Sequence, residues 1–171
     1  MGVKLVSASA GSVEIVAPTT ASNFTATLPA ATGTFMVSGN MPAFSAYPSS
    51  NQTITASTFT KILFQTEEFD TNSNFASSTF TPTVAGYYQV QITVAPSTAT
   101  TATQTAIYKN GTIYKRIISR ASDSSAEVVA LVYCNGSTDY IEGYGLFVGT
   151  TPATTSESDQ TFFQACLVRS A

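Results

Sequence analysis

The chain has 171 residues, a formal net charge of −3 and no histidine, and only 10% of its residues are charged, against about 25% in a typical globular protein. This length suits one compact domain with a short appendage, and the missing histidine excludes catalytic arrangements built on a Ser-His or Cys-His pair. We therefore expect a protein that is not an enzyme and carries no cofactor or metal. Scattered cations and the lack of a long apolar run indicate neither nucleic-acid nor membrane binding.

Residues 1–41 have the pattern of short β-strands interrupted by turns of small residues. The apolar positions that define this pattern are Val13, Ile15, Phe24, Leu28, Phe35 and Val37. Strands this short bury too little apolar surface to offset the entropy of folding. We therefore interpret 1–41 as an anchoring and trimerisation tail that folds against sister chains or another protein. Gly39-Asn40-Met41-Pro42 joins it to a main domain at 42–171.

The main domain begins with two predicted strands, over residues 44–47 and 58–64, and an acidic segment after them. Glu67, Glu68 and Asp70 lie there among Asn and Ser residues, and we predict a solvated loop. A calcium site with oxygen ligands is the alternative, although the spacing of these acids does not match an EF-hand.

Residues 80–94 carry the clearest strand pattern in the chain. After a turn that contains Gly86, the apolar residues Tyr88, Val90 and Ile92 alternate with polar ones. This period of two indicates a strand with one buried face, which we place inside a sheet.

A two-residue hairpin is predicted at Asn110-Gly111, because both residue types tolerate positive φ. The Ser/Thr/Ala-rich residues 97–103 before it are predicted to form a loop. The cations of the chain concentrate at Lys109, Lys115, Arg116 and Arg120. We interpret them as a solubilising strand edge, with a sugar- or phosphate-binding patch as the alternative.

Three further strands are predicted over residues 128–134, 140–148 and 162–168. The first and last carry large apolar residues on both faces. One face of a strand in a two-sheet sandwich meets the core, so apolar residues on the other face indicate a neighbouring subunit. The candidate interface residues are Val129, Leu131, Tyr133, Phe162, Phe163 and Leu167.

The two cysteines, Cys134 and Cys166, are far apart in sequence and form no metal-binding motif. We expect both to be buried free thiols within strands. Pairing between neighbouring strands or between chains is the alternative.

A family resemblance extends from about residue 44 to residue 171. Phe64, Asp70, Phe75, Phe80, Gly86 and Tyr88 occur in an order that resembles the signature of the globular-head family of the first complement component, which is related to tumour necrosis factor. Between Phe75 and Phe80 the chain is shorter than the family pattern, and Val90 and Ile92 stand where aromatic residues are usual. The resemblance implies an all-β fold, an antiparallel jelly roll that forms homotrimers, with these residues in the fold and trimer core.

The N-terminal segment has a separate resemblance. Residues 13–18 and 26–40 are similar to the repeat-like region that precedes the distal domains of bacteriophage fibres and virion surface proteins. Together the two resemblances imply a trimeric phage capsid decoration or cement protein, assembled in the host cytoplasm and located on the outer surface of the capsid. Its partner would be the major capsid protein or another virion protein. The alternative is a tail-fibre or head-fibre tip that binds a host receptor or surface glycan, with Tyr47, Tyr87, Tyr114 or Tyr144 as aromatic platforms.

Overall fold

The structure is a computed structural model that describes residues 3–6, 11–16, 19 and 36–171. The chain divides into two compact units, Met1–Gly33 and Thr34–Ala171. In the first unit, β1 (Val3–Val6) and β2 (Ser12–Ile15) form an antiparallel hairpin. Val13 and Ile15 are exposed in this hairpin. Val37, which was also predicted to belong to the tail, lies in the second unit and is exposed there. The other predicted tail positions, Phe24, Leu28 and Phe35, lie outside the described residues.

The second unit consists of antiparallel strands and one three-residue 3-10 turn at Ser38–Asn40, which confirms the all-β prediction. Its strands are β3 (Ala43–Tyr47), β4 (Thr60–Lys61), β5 (Thr66–Asp70), β6 (Phe75–Ala76), β7 (Thr79–Phe80), β8 (Gly86–Val94), β9 (Ala102–Lys109), β10 (Thr112–Ser119), β11 (Ala126–Cys134), β12 (Ile141–Val148) and β13 (Phe162–Ser170). In the described parts of the chain, no helix has the length and apolar character needed to cross a membrane.

The strands form two sheets. One has the order β11-β8-β13-β3-β5, and the other has the order β10-β9-β12-β7-β6, with β4 also paired to β12. Strand β8 has a neighbour on both sides, as its alternating sequence predicts. Strands β3 and β13 pair so that Ala43 lies opposite Cys166, and the Leu167 amide donates to the Pro42 carbonyl at 2.9 Å.

The core lies between the two sheets and is rich in phenylalanine. The Phe44 ring centroid is 4.4 Å from that of Phe75, 4.6 Å from that of Phe80 and 4.8 Å from that of Phe163. The buried family-motif residues are Phe64, Phe75, Phe80, Gly86, Tyr88, Val90 and Ile92. Each one is covered by its own chain, so their burial needs no second subunit.

The remaining motif residue, Asp70, shapes a turn. Its carboxylate accepts hydrogen bonds from the backbone amides of Asn72 at 3.2 Å and Phe75 at 2.7 Å. A carboxylate that accepts two backbone donors holds the connection from β5 to β6, since those donors have no ladder partner there.

Two predicted segments differ in the structure. In the predicted strand 58–64, only Thr60–Lys61 pairs as a strand, because the backbone amides of Leu63 and Phe64 donate to the side chains of Gln52 and Ser78. The predicted acidic loop is strand β5. As an edge strand of its sheet, β5 leaves Glu67 exposed to water, while Glu68 accepts a 2.7 Å hydrogen bond from the Ser45 hydroxyl and Asp70 holds the turn that follows.

The hairpin prediction is confirmed. Asn110 and Gly111 have φ values of 51° and 76° between β9 and β10, as a type I′ turn requires at its two central positions. The predicted loop 97–103 ends sooner than expected, because β9 begins at Ala102.

Candidate assembly face

The outward face of the five-stranded sheet carries exposed apolar side chains on both sides of a central group of glutamines. Tyr87 on β8 points away from the core because its neighbour Tyr88 points into it. We call this surface the assembly face. It consists of Phe69, Tyr87, Val129, Leu131, Tyr133, Cys166 and Val168, all exposed in the single chain. Leu131 keeps 59% of its surface exposed and Val129 keeps 49%, which is high for aliphatic residues in the middle of a strand.

Strand register places these residues in rows across the sheet. Gln89 lies opposite Leu131 on one side and Cys166 on the other. In the next row, Gln91 lies opposite Val129 and Gln164. The Gln164 amide donates to the Gln91 side-chain oxygen at 2.7 Å. Each of these two side chains therefore has a hydrogen-bond partner within the chain. This lowers the free-energy cost of burying them under another subunit.

The row at the end of the sheet where β8 begins is aromatic with one cation, because Tyr87 lies opposite Tyr133 on one side and the exposed Arg169 on the other. The Tyr87 and Tyr133 rings contact each other, with centroids 5.4 Å apart. The Lys109 ammonium lies 5.7 Å from the Tyr133 ring centroid and is paired with Asp139 at 2.9 Å. That cation is neutralised within the chain, so it does not prevent another subunit from packing on the tyrosines.

A second apolar surface adjoins the assembly face at the edge formed by β10 and β11. Tyr114 and Ile117 on β10 are exposed, and the Tyr114 hydroxyl donates to the Leu131 backbone carbonyl at 3.1 Å. This hydrogen bond joins the edge strands of the two sheets. The chain therefore presents two different apolar surfaces side by side.

The two thiols differ in their surroundings. Both are free within the chain. Cys134 is buried, and burial raises the pKa of its thiol to about 11. Cys166 is exposed, so the prediction of burial is wrong for it: its position on β13 is in the outward row. It lines a shallow cavity of about 230 Å³ on the assembly face, together with Phe69 and Gln89. Pairing of Cys166 between chains stays a prediction.

The candidate interface residues separate by strand face. Val129, Leu131 and Tyr133 are exposed on the assembly face. Phe162 is half-buried opposite Thr93, at the other end of the sheet. Phe163 and Leu167 have only 0% and 4% of their surface exposed in the single chain. They point between the sheets because β13 alternates the other way, so we leave them out of the assembly face.

The acidic residues of β5 do not converge. Glu67 and Glu68 are exposed, and both carboxylate oxygens of Asp70 accept backbone hydrogen bonds. Within the described ranges, no group of three or more His, Cys, Asp or Glu residues is placed to hold a metal ion. The calcium alternative therefore has no support from this arrangement.

The two packed antiparallel sheets define a jelly roll, and comparison with solved structures bears this out. Murine APRIL at pH 8.5 is 13% identical, with a TM-score of 0.59 over 75% of this chain and 99% of that chain. The globular domain of zebrafish complement 1qA is 15% identical, with a TM-score of 0.60 over 76% of this chain and 98% of that chain. Eiger TNF from S. frugiperda is 8% identical, with a TM-score of 0.56 over 77% and 93%.

These likenesses show a fold of the kind found in tumour necrosis factor and complement globular heads, as the sequence motif implied. At such low identity they show the fold alone. No protein-family model matches the chain. No curated protein matches it either.

Proposed function

We propose that the chain is a structural protein that assembles as a homotrimer through the assembly face. The carrying observation is the exposure of Val129, Leu131 and Tyr133 on a strand whose other face is already packed in the core. Leaving such side chains in water is unfavourable, and a sheet face with this many exposed apolar residues is typical of a protein interface. The proposal gives the chain a binding and structural role without catalysis.

The two adjoining apolar surfaces favour a ring of copies. In a cyclic trimer, one surface of each subunit contacts a different surface of the next, whereas a twofold dimer uses the same surface twice. The β10–β11 edge, with Tyr114 and Ile117, can pack on the next subunit's Tyr87, Phe69 and Cys166. A closed ring of three would cover both surfaces on every copy. The trimer implied by the complement-head resemblance supports the same arrangement.

Within this class, we propose a bacteriophage virion protein that decorates or cements the capsid through its N-terminal unit. Two observations support the proposal. Residues 13–18 and 26–40 resemble the region before distal domains of phage fibres, and the β1–β2 hairpin exposes Leu5, Val13 and Ile15. Three such hairpins on one trimer would bind neighbouring capsid subunits with a high effective concentration, so individually weak contacts would combine into stable attachment.

The trimer is tested by light scattering on the purified protein at micromolar concentration. A mass three times that of the 17.9 kDa chain is expected, and a monomer would contradict the proposal. Attachment is tested separately, by cosedimentation with capsids of the phage that encodes the chain. We expect Val13→Asp/Ile15→Asp to remain trimeric but fail to bind capsids, while Val37→Asp, in the second unit, binds. Capsid binding by the first variant would contradict the anchor assignment.

A fibre tip that binds a host glycan is a second candidate function. It is favoured by an aromatic pair on the other sheet. Tyr108 and Tyr144 stack with ring centroids 3.8 Å apart and planes 23° apart, and both are only half-buried. Of the tyrosines suggested from sequence, Tyr144 is the one in this stack, and Tyr108 was missed.

A further inference from the structure

The outward face of the six-stranded sheet places an arginine and an aromatic stack in adjacent positions. Ala106 on β9 lies opposite Arg116 on β10 and opposite Tyr144 on β12. Arg116 and Tyr144 are therefore two strands apart, or about 10 Å at the usual strand spacing. Ala106 is short and fully buried, so the larger side chains around it cover this position on the outward face.

The same face continues on both sides of this row. Gln104 and Tyr108 are the next outward positions of β9, and Ile118 lies opposite Gln104. Tyr108 stacks on Tyr144, and Phe59 approaches Tyr108 edge-on at 6.1 Å. Burial raises the pKa of both tyrosines, and the nearby Arg116 opposes that rise for Tyr108. The hydroxyls thus remain neutral hydrogen-bonding groups at physiological pH.

The charge distribution leaves this surface selectively cationic. Among the described residues, the two ion pairs join Lys61 to Glu142 at 2.7 Å and Lys109 to Asp139 at 2.9 Å. Arg116 and Arg120 are exposed and have no such partner in that part of the chain. The carboxylate closest to the stack, on Glu142, is already neutralised by Lys61. An incoming anion would therefore meet two free guanidinium groups, although the protein as a whole is negative.

A cavity of about 340 Å³ marks where the anion would sit. Its lining consists of Gln104, Arg116, Ile117, Ile118 and Arg120. Guanidinium groups bind carboxylate or sulfate oxygens through paired hydrogen bonds, and the Gln104 amide adds a donor and an acceptor. The aliphatic residues give the cavity walls that exclude water from part of the bound group.

We propose that this face binds an acidic saccharide. Arg116 and Arg120 hold a carboxylate or sulfate group of one sugar in the cavity, and the Tyr108–Tyr144 stack packs against the apolar face of the same or the next sugar. The distance of about 10 Å from Arg116 to Tyr144 suits a ligand of one to two sugar units. This inference deepens the second candidate function. It uses no residue of the assembly face, and it shares one residue with the β10–β11 edge, Ile117, which forms one wall of the cavity.

The test is titration of the full chain with oligogalacturonate, with dextran sulfate and with neutral dextran of matched length. We expect the two acidic saccharides to bind and neutral dextran not to bind. Arg116→Gln and Arg120→Gln should each weaken binding about tenfold or more, because each removes a charge-assisted contact. Lys115→Gln is the matched control: Lys115 is exposed beside Arg116, but its side chain lies over the Tyr114 ring at 5.6 Å, and binding should change less than about twofold.

Tyr144→Leu tests the saccharide part of the proposal, since it keeps apolar packing but removes the flat ring. It should weaken oligogalacturonate binding and leave binding of inorganic sulfate unchanged. Equal losses in Lys115→Gln and Arg116→Gln would show non-specific attraction to cations and overturn the site. Full binding in Tyr144→Leu, with complete displacement by equimolar sulfate, would overturn the saccharide assignment. Loss of the trimer in Leu131→Asp should not alter binding per chain, so failure of the trimer proposal is distinguishable.

Discussion

Substitution of Leu131 by aspartate tests the assembly face most directly. Leu131 lies in the middle of β11, and 59% of its surface is exposed in the single chain. Fully burying a leucine contributes about 1.5–3 kcal/mol, so covering the remaining surface contributes about 1–2 kcal/mol per subunit. Three copies contribute about 3–5 kcal/mol, and losing this lowers the overall association constant by roughly two to four orders of magnitude. The buried carboxylate adds a further desolvation cost.

The assay is sedimentation velocity over a dilution series, combined with thermal unfolding of each variant. Leu131→Asp should shift from trimer to monomer at concentrations where the wild type remains assembled, while its circular dichroism spectrum is unchanged. Val148→Asp is the matched control, because Val148 is an exposed aliphatic residue on the outward face of the other sheet. If Leu131→Asp stays trimeric, or if Val148→Asp dissociates equally, the reasoning is refuted.

Three further predictions concern the fold. Tyr88→Phe removes the 2.7 Å hydrogen bond from the Tyr88 hydroxyl to the Val84 carbonyl, and urea unfolding should show a loss of about 1–2 kcal/mol; no change would mean that water replaces it. Gly111→Ala should cost about 1–2 kcal/mol because φ is positive there, and Gly136→Ala should cost more, since its Cβ would also meet the Ala85 backbone; equal costs would contradict this. Burial raises the pKa of the Cys134 thiol from 9.0 to about 11. The stability that the buried neutral thiol contributes is therefore complete below pH 9 and is lost as the pH rises to 11. Over that range, the free energy of unfolding should decline less in Cys134→Ala than in the wild type.

The strand pattern could be predicted where side chains alternate strictly. Tyr88, Val90 and Ile92 fix the inward face of β8 from sequence alone. The pattern failed at β4 and β5. Leu63 and Phe64 do not extend the strand, because their backbone amides donate hydrogen bonds to the side chains of Gln52 and Ser78. These partners can be recognised only in the folded chain.

The sequence also does not determine which β13 side chains point toward the core. Phe162 and Phe163 are adjacent aromatic residues, and either could be the one that meets the core. The register with β8, which sets Phe163 opposite Ile92, decides that Phe163 points inward and Cys166 outward. Large residues on both faces of β13 therefore predict a neighbouring subunit but do not say which of them would contact it.

The face that we propose to bind a saccharide could not be predicted from sequence as one site. Arg116 was part of a recognised cationic group, and Tyr144 was a recognised aromatic candidate. Nothing local in the sequence joins them, because their proximity depends on the pairing of β9 with β12 across the intervening strands β10 and β11. The Asn110-Gly111 turn was the nearest usable signal, since it sets β10 beside β9.

The antiparallel pairing of β3 with β13 has a mechanical consequence. The start of β3 and the end of β13 leave the sheet at the same end, and the amide of Ala171 donates to the Ala85 carbonyl there. Tension applied between residues 42 and 171 would pull β3 and β13 apart from one end. Their hydrogen bonds would then break one after another rather than all together, so little force would be required. A subunit that is held only through its N-terminal side experiences no force between residues 42 and 171, so the β3–β13 pairing is not stretched. The same holds for a protein fused after Ala171, provided that the fused protein is not attached elsewhere.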